Sequence, residues 1–383
     1  MTNPYQGIDW ESVLRVPSAT HMHINNQDNL ENGYRYGIRH FPISNYYPSV
    51  PYNAATRRSD FQLRHNWPVM QDGEQLEPPI NWNEIITWAD ELDEPYRSDF
   101  PFDETEPVYS HIPSDIIVSS NAEHHGFTNS NCHICSPGSS FASGTFDVYN
   151  RYQLNKHGFA VGYGRTWQEG FEKMIEALDY PDGGGITINH PTWFSKFTDE
   201  QVFEMLDFDD RVLGIEIYND YSNRKDWLEN PNYQPPDETD KGFSLNLWDR
   251  VLSTGRRCWG SCVPDHSVCR DSNWDGRNVL LVPTFTEDEC LRAYRIGSFY
   301  GCLKNNGLTV NNFQVNDTQL SVTTSVVATI RFITNDGEVK SVTGTEGVFD
   351  IPQRDGKPAI PFVRVVITDE TGERLFLQPV MFN

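Results

Sequence analysis

Apolar and polar positions alternate along residues 20–303 in two different rhythms. Short β-rich apolar runs bounded by turn residues, as is typical of strands, occur at 115–118, 185–189 and 212–219. Between such runs, apolar residues recur at helical spacing and mark one helix face: Trp167, Phe171, Met174, Ile175 and Leu178. Alternating strands and helices on this scale predict either an α/β barrel or a doubly wound sheet.

Two further helices are marked by signals at their ends. A stripe of apolar residues over 245–252 ends at Gly255, and glycine commonly terminates helices. The segment Thr-Glu-Asp-Glu at 286–289 has the spacing of a capping box, which predicts a helix from there to Gly297.

Residues 48–113 interrupt this rhythm. They are rich in Pro, Trp, Tyr and acidic residues, and they contain a helical pattern near 82–92. We interpret them as an insertion, which is either a lid over a site or a surface excursion without a function.

From about residue 306 the helical patterns stop. Asp336-Gly337, between apolar runs at 326–334 and 338–343, is a hairpin signal. Two further β-rich runs, at 362–368 and 374–377, follow it. The last eighty residues are therefore predicted to form a small antiparallel β-sandwich.

The net charge is −24, from 30 basic and 54 acidic residues. Such a field repels nucleic acid backbones and anionic membranes, so we expect neither as an extended partner. The chain begins without the basic and apolar segments of a signal peptide. Its seven cysteines are an odd number without a disulfide-framework spacing. Both features favour a cytoplasmic protein in which Cys132 and Cys135 are buried free thiols.

Residues of metal-binding types stand at the ends of several apolar runs. His21 and His23 follow a segment that can end a strand, and alternation along a strand points both imidazoles the same way. Other runs end in Glu123, His133, His190 and Asp265. The carboxyl ends of parallel barrel strands meet at one mouth, so these side chains are expected to converge there. Imidazoles with two carboxylates suit Zn²⁺, Mn²⁺ or Fe²⁺ rather than Ca²⁺ or Mg²⁺.

In their order along the chain these motifs resemble the PHP family, the polymerase and histidinol phosphatase superfamily of metal-dependent phosphoesterases. The motifs are Thr20-His-Met-His23, Glu123, His133, Asn189-His-Pro191, Gly214-Ile-Glu-Ile-Tyr-Asn219, Trp248-Asp-Arg-Val-Leu-Ser-Thr-Gly255 and Asp265-His266. The resemblance implies a distorted (β/α)7 barrel over residues 1–303, and the β-sandwich domain would then occupy 304–383.

The resemblance also implies two divalent transition metal ions as cofactors. The first would be held by His21, His23, Glu123 and Asp265. The second would be held by Glu123, His133 and His190, so that Glu123 bridges the two ions. The implied activity is the hydrolysis of a small phosphate ester by a hydroxide held between the ions.

This chain departs from the family pattern where PHP proteins hold a third metal. The family's Thr-Asp-His motif is matched by Ser44-Asn45-Tyr46, and a further family histidine by Asn29. The closing Asp-x-His has Ser267 in place of its histidine. We therefore predict two ions with the third position vacated, and His266 stays open as a ligand or proton donor. In an alternative register Asp265 would lie outside the site and leave the first ion short of a carboxylate.

Several side chains are candidates for catalysis and substrate binding. The predicted catalytic residues are Asp265, His266 and Arg165, and the predicted substrate-binding residues are Arg39, His124, His125, Glu216 and Asn219. Arg165 or Arg39 would anchor the non-reacting oxygens of the substrate. His124, His125 or His266 could protonate the leaving group. Glu216 and Asn219 could hold a substrate hydroxyl or only cap a turn.

Three functions stay open from the sequence. A phosphoesterase acting on a small phosphorylated molecule is favoured. The same site could hydrolyse a carboxyl ester or carbamate, because a bridged hydroxide also attacks carbonyl carbon. A non-catalytic binding protein with a vestigial site is the third, and Asn45-Tyr46 supports it.

Overall fold

The computed structural model describes residues 1–24, 27–45, 69–71, 74–76, 111–141, 165–192, 197–223, 242–270 and 274–382. The helices in these ranges are α1 (Gln27–Arg35), α2 (Trp167–Glu176), α3 (Asp199–Leu206), α4 (Leu245–Ser253), α5 (Ser267–Arg270) and α6 (Glu287–Ile296), with a 3-10 turn at Tyr221–Asn223. The first strands are β1 (Leu14–Ser18), β2 (His40–Pro42), β3 (Val69–Gln71), β4 (Glu74–Leu76), β5 (Ile117–Ser119), β6 (Glu123–His124), β7 (Ile134–Cys135), β8 (Ile186–Ile188), β9 (Val212–Asn219) and β10 (Trp259–Val263). The remaining strands are β11 (Gly276–Val282), β12 (Phe299–Leu303), β13 (Val310–Val315), β14 (Gln319–Thr334), β15 (Gly337–Asp350), β16 (Gln353–Arg354), β17 (Lys357–Pro358), β18 (Phe362–Asp369), β19 (Arg374–Leu377) and β20 (Val380–Met381).

Most of the strands belong to two sheets. An 11-stranded sheet has the order β13-β14-β18-β19-β12-β11-β1-β2-β5, with β15 paired to β14 and β20 to β18. A 5-stranded sheet has the order β10-β9-β8-β7-β6. The pairs β16–β17 and β3–β4 are small separate sheets.

Strand directions within these sheets are mixed. Strand β1 is parallel to β2 but antiparallel to β11. Strand β8 is parallel to β9 but antiparallel to β7. Because each sheet contains both directions, the described strands do not close into a parallel barrel, and the predicted (β/α)7 barrel is not confirmed. The described chain is a mixed α/β protein with a large sheet and few helices.

The strand ends of the two sheets approach each other at one place. Met22, just after β1, forms a parallel bridge with Asp265, just after β10. The amide of Glu123 in β6 donates to the carbonyl of Ser44, just after β2. The residues predicted to bind metal therefore come from the facing ends of both sheets.

A buried core connects the helices to the 5-stranded sheet. The predicted face of α2 is confirmed, with Trp167, Phe171 and Met174 buried, although Leu178 lies beyond the helix end. Trp248 of α4 is fully buried and donates from Nε1 to the carbonyl of Cys258. Strand β9 is buried along its whole length, because β8 and β10 flank it in parallel.

The predicted helix ends are partly confirmed. Helix α6 runs from Glu287 to Ile296 and ends in Gly297, whose φ of +78° is the left-handed conformation that glycine adopts without strain. A Cβ at Gly297 would lie 2.6 Å from the Trp259 ring, which also selects glycine. The predicted capping box is wrong in one respect, since the Thr286 side chain makes no capping bond to this helix.

The C-terminal strands are antiparallel, as predicted. The Asp336-Gly337 turn joins β14 to β15, and Thr334 pairs with Gly337. These strands continue the large sheet, because β19 pairs with β12. The division into domains 1–303 and 304–383 stays a prediction.

Most of the predicted insertion at 48–113, including the helical pattern near 82–92, lies outside the described residues. Within the described part, all cysteines with described side chains are free and buried, Cys132 and Cys135 among them. No helix in the described ranges is both long and apolar enough to cross a membrane.

Candidate metal centre

His21 and His23 are fixed to Asp265 through the backbone. The amide of Asp265 donates to the carbonyl of His21, and the amide of His23 donates to the carbonyl of Asp265. The alternation predicted from the sequence is present, because Met22 packs into the apolar core while both imidazoles point to the same cluster. The local chain path thus brings three candidate ligands together.

The donor atoms of this first group lie at the separations expected of neighbouring ligands on one ion. The two Nε2 atoms of His21 and His23 are 3.2 Å apart. Glu123 Oε2 lies 3.2 Å from His21 Nε2 and 3.0 Å from His23 Nε2. Asp265 Oδ1 lies 3.2 Å and 3.4 Å from the same two atoms. Ligands about 2.0–2.2 Å from one tetrahedral ion are about 3.3–3.6 Å apart, so the group is compatible with a metal such as Zn²⁺.

The second oxygen of Glu123 faces a different set of histidines. Glu123 Oε1 lies 3.1 Å from His133 Nδ1, 3.4 Å from His125 Nε2 and 3.7 Å from His190 Nε2. Several groups of three described residues have donor atoms that all lie within 4.8 Å of one another. They include His21–His23–Glu123, His21–His190–Asp265, His23–Asp265–His266 and Glu123–His125–His133. Glu123 therefore lies between two sets of imidazoles.

Glu216 of β9 holds two of the candidate ligands in place. Its Oε1 accepts a hydrogen bond from His21 Nδ1 at 2.7 Å, which leaves the His21 Nε2 lone pair directed at the cluster. Its Oε2 accepts from the backbone amide of His190 at 2.7 Å and from Asn219 Nδ2 at 2.9 Å. Asn219 Nδ2 also contacts Asp265 Oδ2 at 3.1 Å. Glu216 and Asn219, predicted to bind substrate, here position metal-type ligands.

The cluster is strongly anionic for a buried site. The side chains of Glu123, Glu216 and Asp265 are 0–3% exposed. Burial opposes a charge on His21, but the carboxylates of Asp265 and Glu123 outweigh it and hold its pKa well above the ordinary value. Burial also works against ionised Glu123, yet His21 and His125 hold its pKa well below the usual range. Three buried carboxylates around one imidazolium leave a negative charge that needs a cation.

His125, His133 and His266 are neutral near pH 7, because burial lowers the pKa of each. Burial lowers the pKa of both His125 and His266 to about 3, with a neighbouring histidine adding to the effect in each case. Burial also lowers the pKa of His133. Neutral imidazole is the form that binds metal, so these side chains are ready to act as ligands.

Two buried carboxylate oxygens of the cluster accept no hydrogen bond from the described residues. Glu123 Oε2 and Asp265 Oδ1 are buried, and no described residue donates a hydrogen bond to them with good geometry. Buried carboxylate oxygens without donors are costly unless a cation satisfies them. The backbone of Asp265 is also in the left-handed region at φ +53°, as is His190 at φ +26°. Strain of this kind persists where the surrounding structure fixes a site.

Three predicted site residues do not join the cluster in the described structure. Arg165 forms an ion pair with Glu169 of α2. Arg39 donates to the carbonyls of Tyr34 and Ile38. His124 points to the opposite side of β6 from its neighbours.

Ser44 and Asn45, two of the positions that the PHP resemblance assigns to a third metal, have structural roles here. The Ser44 hydroxyl and the Asn45 amide bind the backbone of Met22 and Ile24, which supports the histidine pair. Tyr46 lies outside the described residues. His266 stacks on His23 with ring centroids 3.8 Å apart, and its Nε2 lies 3.9 Å from Asp265 Oδ1.

No role was predicted for Asn189. Its Nδ2 lies 3.4 Å from Glu123 Oε1, and its Oδ1 accepts from the amide of Cys135. The only signal was its position directly before His190. The fold and this cluster define a mixed α/β protein with a buried histidine–carboxylate site of the kind that binds divalent metals.

No family model matches the chain, and no curated protein matches it either. Among solved structures, the chain is similar to the crystal structure of a two-domain protein containing a predicted PHP-like metal-dependent phosphoesterase from Bacteroides vulgatus ATCC 8482. That similarity covers 94% of this chain and 91% of the other, with 10% sequence identity and a TM-score of 0.41. A similarity this low decides neither fold nor function, so the function proposed below rests on the site itself.

Proposed function

We propose that the protein is a metal-dependent hydrolase of the PHP type, with two divalent ions that act on a small phosphate ester. The observation that supports this most strongly is the position of Glu123 between two histidine groups. One of its oxygens faces His21 and His23, and the other faces His133 and His190. A carboxylate in this position is suited to bridging two ions.

The residues present fit such ions. His21, His23, Glu123 and Asp265 would hold the first, and Glu123, His133 and His190 the second. Glu123 Oε2 and Asp265 Oδ1, the two oxygens without donors, both face His21 and His23, so they support a cation at the first position. When bound, a pair of such ions activates water and polarises the oxygen of an ester.

The chain's own residues add orientation and access. Glu216 keeps His21 in one tautomer, and Asn219 restrains both Glu216 and Asp265. His133 and His266 are the most exposed members of the cluster, with 18% and 19% of their side chains accessible. Substrate would therefore enter beside these two residues.

A carboxyl ester or carbamate is the second candidate substrate. This alternative is favoured by the positions of Arg39 and Arg165, the two predicted phosphate anchors, which contact other partners in the described structure. An uncharged ester needs no such anchor.

Metal content and three substrates test the proposal together. Protein purified without chelators should hold close to two transition metal ions per chain, and Glu123→Ala should lose most of both. The parent should hydrolyse a phosphomonoester or a phosphodiester. Turnover of an aryl ester alone would refute the phosphoesterase and support the carboxyl ester hydrolase instead. A folded parent that cannot be loaded with metal would refute a metal hydrolase.

A further inference from the structure

His124 in the short strand β6 and His125 directly after it point in different directions. Alternation places Glu123 and His125 on one face and His124 on the other. His124 Nε2 lies 2.8 Å from the Ser136 hydroxyl, and its ring stacks on Phe141. His125 instead directs Nε2 to within 3.4 Å of Glu123 Oε1. Two adjacent histidines thus have different surroundings.

His125 also lies against another candidate ligand. Its ring centroid is 3.7 Å from that of His133, with the ring planes at 61°. The donor atoms of Glu123, His125 and His133 all lie within 4.8 Å of one another. His190 Nε2 approaches the same carboxylate oxygen at 3.7 Å.

We infer that His125 is a fourth protein ligand of the second ion, together with Glu123, His133 and His190. This inference rests on the proposed metal site and deepens it. His125 has no counterpart among the ligands that the PHP resemblance supplies, and the sequence suggested a substrate contact or a proton donor for it.

The two ions would then have different surroundings. The first position offers two imidazoles and two carboxylates, whereas the second offers three imidazoles and one shared carboxylate. Imidazole nitrogen suits Zn²⁺, while carboxylate oxygen also suits Mn²⁺. With His125 as a fourth ligand, the second position is therefore expected to retain Zn²⁺ more tightly than it would with Glu123, His133 and His190 alone.

Three variants of the full chain test this role. His125→Ala removes the imidazole. His125→Gln keeps a hydrogen-bond donor near Glu123 but loses the imidazole lone pair. His124→Gln is the matched control, because it changes an adjacent buried histidine on the opposite face. Each protein is stripped, reloaded with Zn²⁺ alone and counted by elemental analysis during competition with a chelator, and its folding is checked by circular dichroism.

The parent and His124→Gln should hold two Zn²⁺ ions. Both His125 variants should keep one ion at a chelator concentration that leaves the parent full. The weaker ion should dissociate at least about 100-fold more readily, because even residues that only orient ligands cost 10–100-fold in affinity.

Retention of parental affinity by His125→Gln would overturn the inference, since a hydrogen bond to Glu123 would then suffice. A parent with fewer than two ions would overturn it as well. A parent that holds two ions and hydrolyses no ester would refute the proposed function alone and leave the ligand role of His125 standing.

Discussion

At the scale of single residues, Glu216 connects parts of the site that are far apart in sequence. It contacts His21, which follows β1, His190, which follows β8, and Asn219 in its own strand. Each contact is a donation to a carboxylate oxygen, so a neutral amide cannot replace all three. The geometry of two candidate ligands therefore depends on one side chain that binds no metal itself.

We expect Glu216→Gln to lower Zn²⁺ affinity by about 10–100-fold, because its amide nitrogen would face a donor that the carboxylate now satisfies. Chelator competition measures the change. The control is Glu373→Gln, which alters another buried glutamate that accepts from the backbone of Asn306 and Leu308, away from the site. Equal affinities in the two variants would contradict the positioning role.

The raised pKa of His21 predicts how the ion-free protein responds to pH. In the unfolded chain this imidazole titrates near 6.5, whereas in the folded chain it keeps its proton to higher pH. At His21 the folded state thus holds more proton than the unfolded state above pH 6.5. The contribution of His21 to the free energy of unfolding therefore falls as pH rises through its folded pKa. Metal affinity should rise over the same range, because the ion displaces that proton.

Thermal melts of chelator-stripped protein between pH 6.5 and 8 test this. Across this range the melting temperature of the parent should fall relative to that of His21→Gln. The buried histidines whose pKa is lowered contribute to both proteins alike. The buried thiols, whose pKa is raised by burial, also contribute to both proteins alike. Equal slopes in the parent and in His21→Gln would assign the effect to other groups.

Most candidate metal ligands could be predicted from the sequence, but the residues that hold those ligands in position could not. Alternation in a strand and the order of motifs suffice to select His21, His23 and Glu123. Glu216 and His125 were predicted only as substrate contacts or, for His125, a proton donor. Their positions beside His21 and His133 depend on how the two sheets approach each other, which the sequence does not show. Arg39 and Arg165 stay predicted anchors, and in the described structure Arg165 bonds to Glu169, a local partner four residues away.

Among the secondary-structure elements, three helices begin with a Thr-x-x-Glu or Thr-x-x-Gln pattern, and only two of these patterns form a capping box. The Thr-x-x-Glu pattern at 286–289 does not form a capping box, whereas Thr166 with Glu169 and Thr198 with Gln201 do. The pattern is necessary for the motif, but the φ and ψ angles of the preceding loop decide whether the side chain reaches the amide.

We therefore expect Thr166→Ala to lower the free energy of unfolding by about 1 kcal/mol and Thr286→Ala by clearly less. Thr166 accepts from the amide of Glu169 and donates to its carboxylate, and both bonds are lost in the variant. Urea unfolding of the two variants beside the parent gives the comparison. Equal losses would mean that Thr286 also caps its helix in solution.

At the scale of the whole molecule, the two predicted domains share structural elements. Strand β19 continues the sheet from β12, and Gln378 exchanges hydrogen bonds with both backbone groups of Gly260 in β10. Phe362 and Phe376 lie in the same apolar cluster as Trp248. Composition marked the change of character near residue 306 correctly, but it contains no information about which surface the later strands cover.

This shared core predicts that residues 1–303 do not fold alone. Removing the later strands would expose the edge of β12 and open the cluster around Trp248, and unpaired edges promote aggregation. The ion pair between Arg364 of β18 and Asp249 of α4, with N–O distances of 2.6 and 2.7 Å, would also be lost.

Expression of 1–303 beside the full chain tests the prediction, with solubility and a cooperative thermal transition as readouts. We expect the fragment to be insoluble or to lack a transition. Arg364→Met in the full chain is the control. It removes the ion pair and the contact of the guanidinium with the Trp248 ring but keeps every strand, so it should leave a folded protein of lower melting temperature. A soluble fragment that melts cooperatively and binds Zn²⁺ would show instead that the metal site belongs to an independent domain.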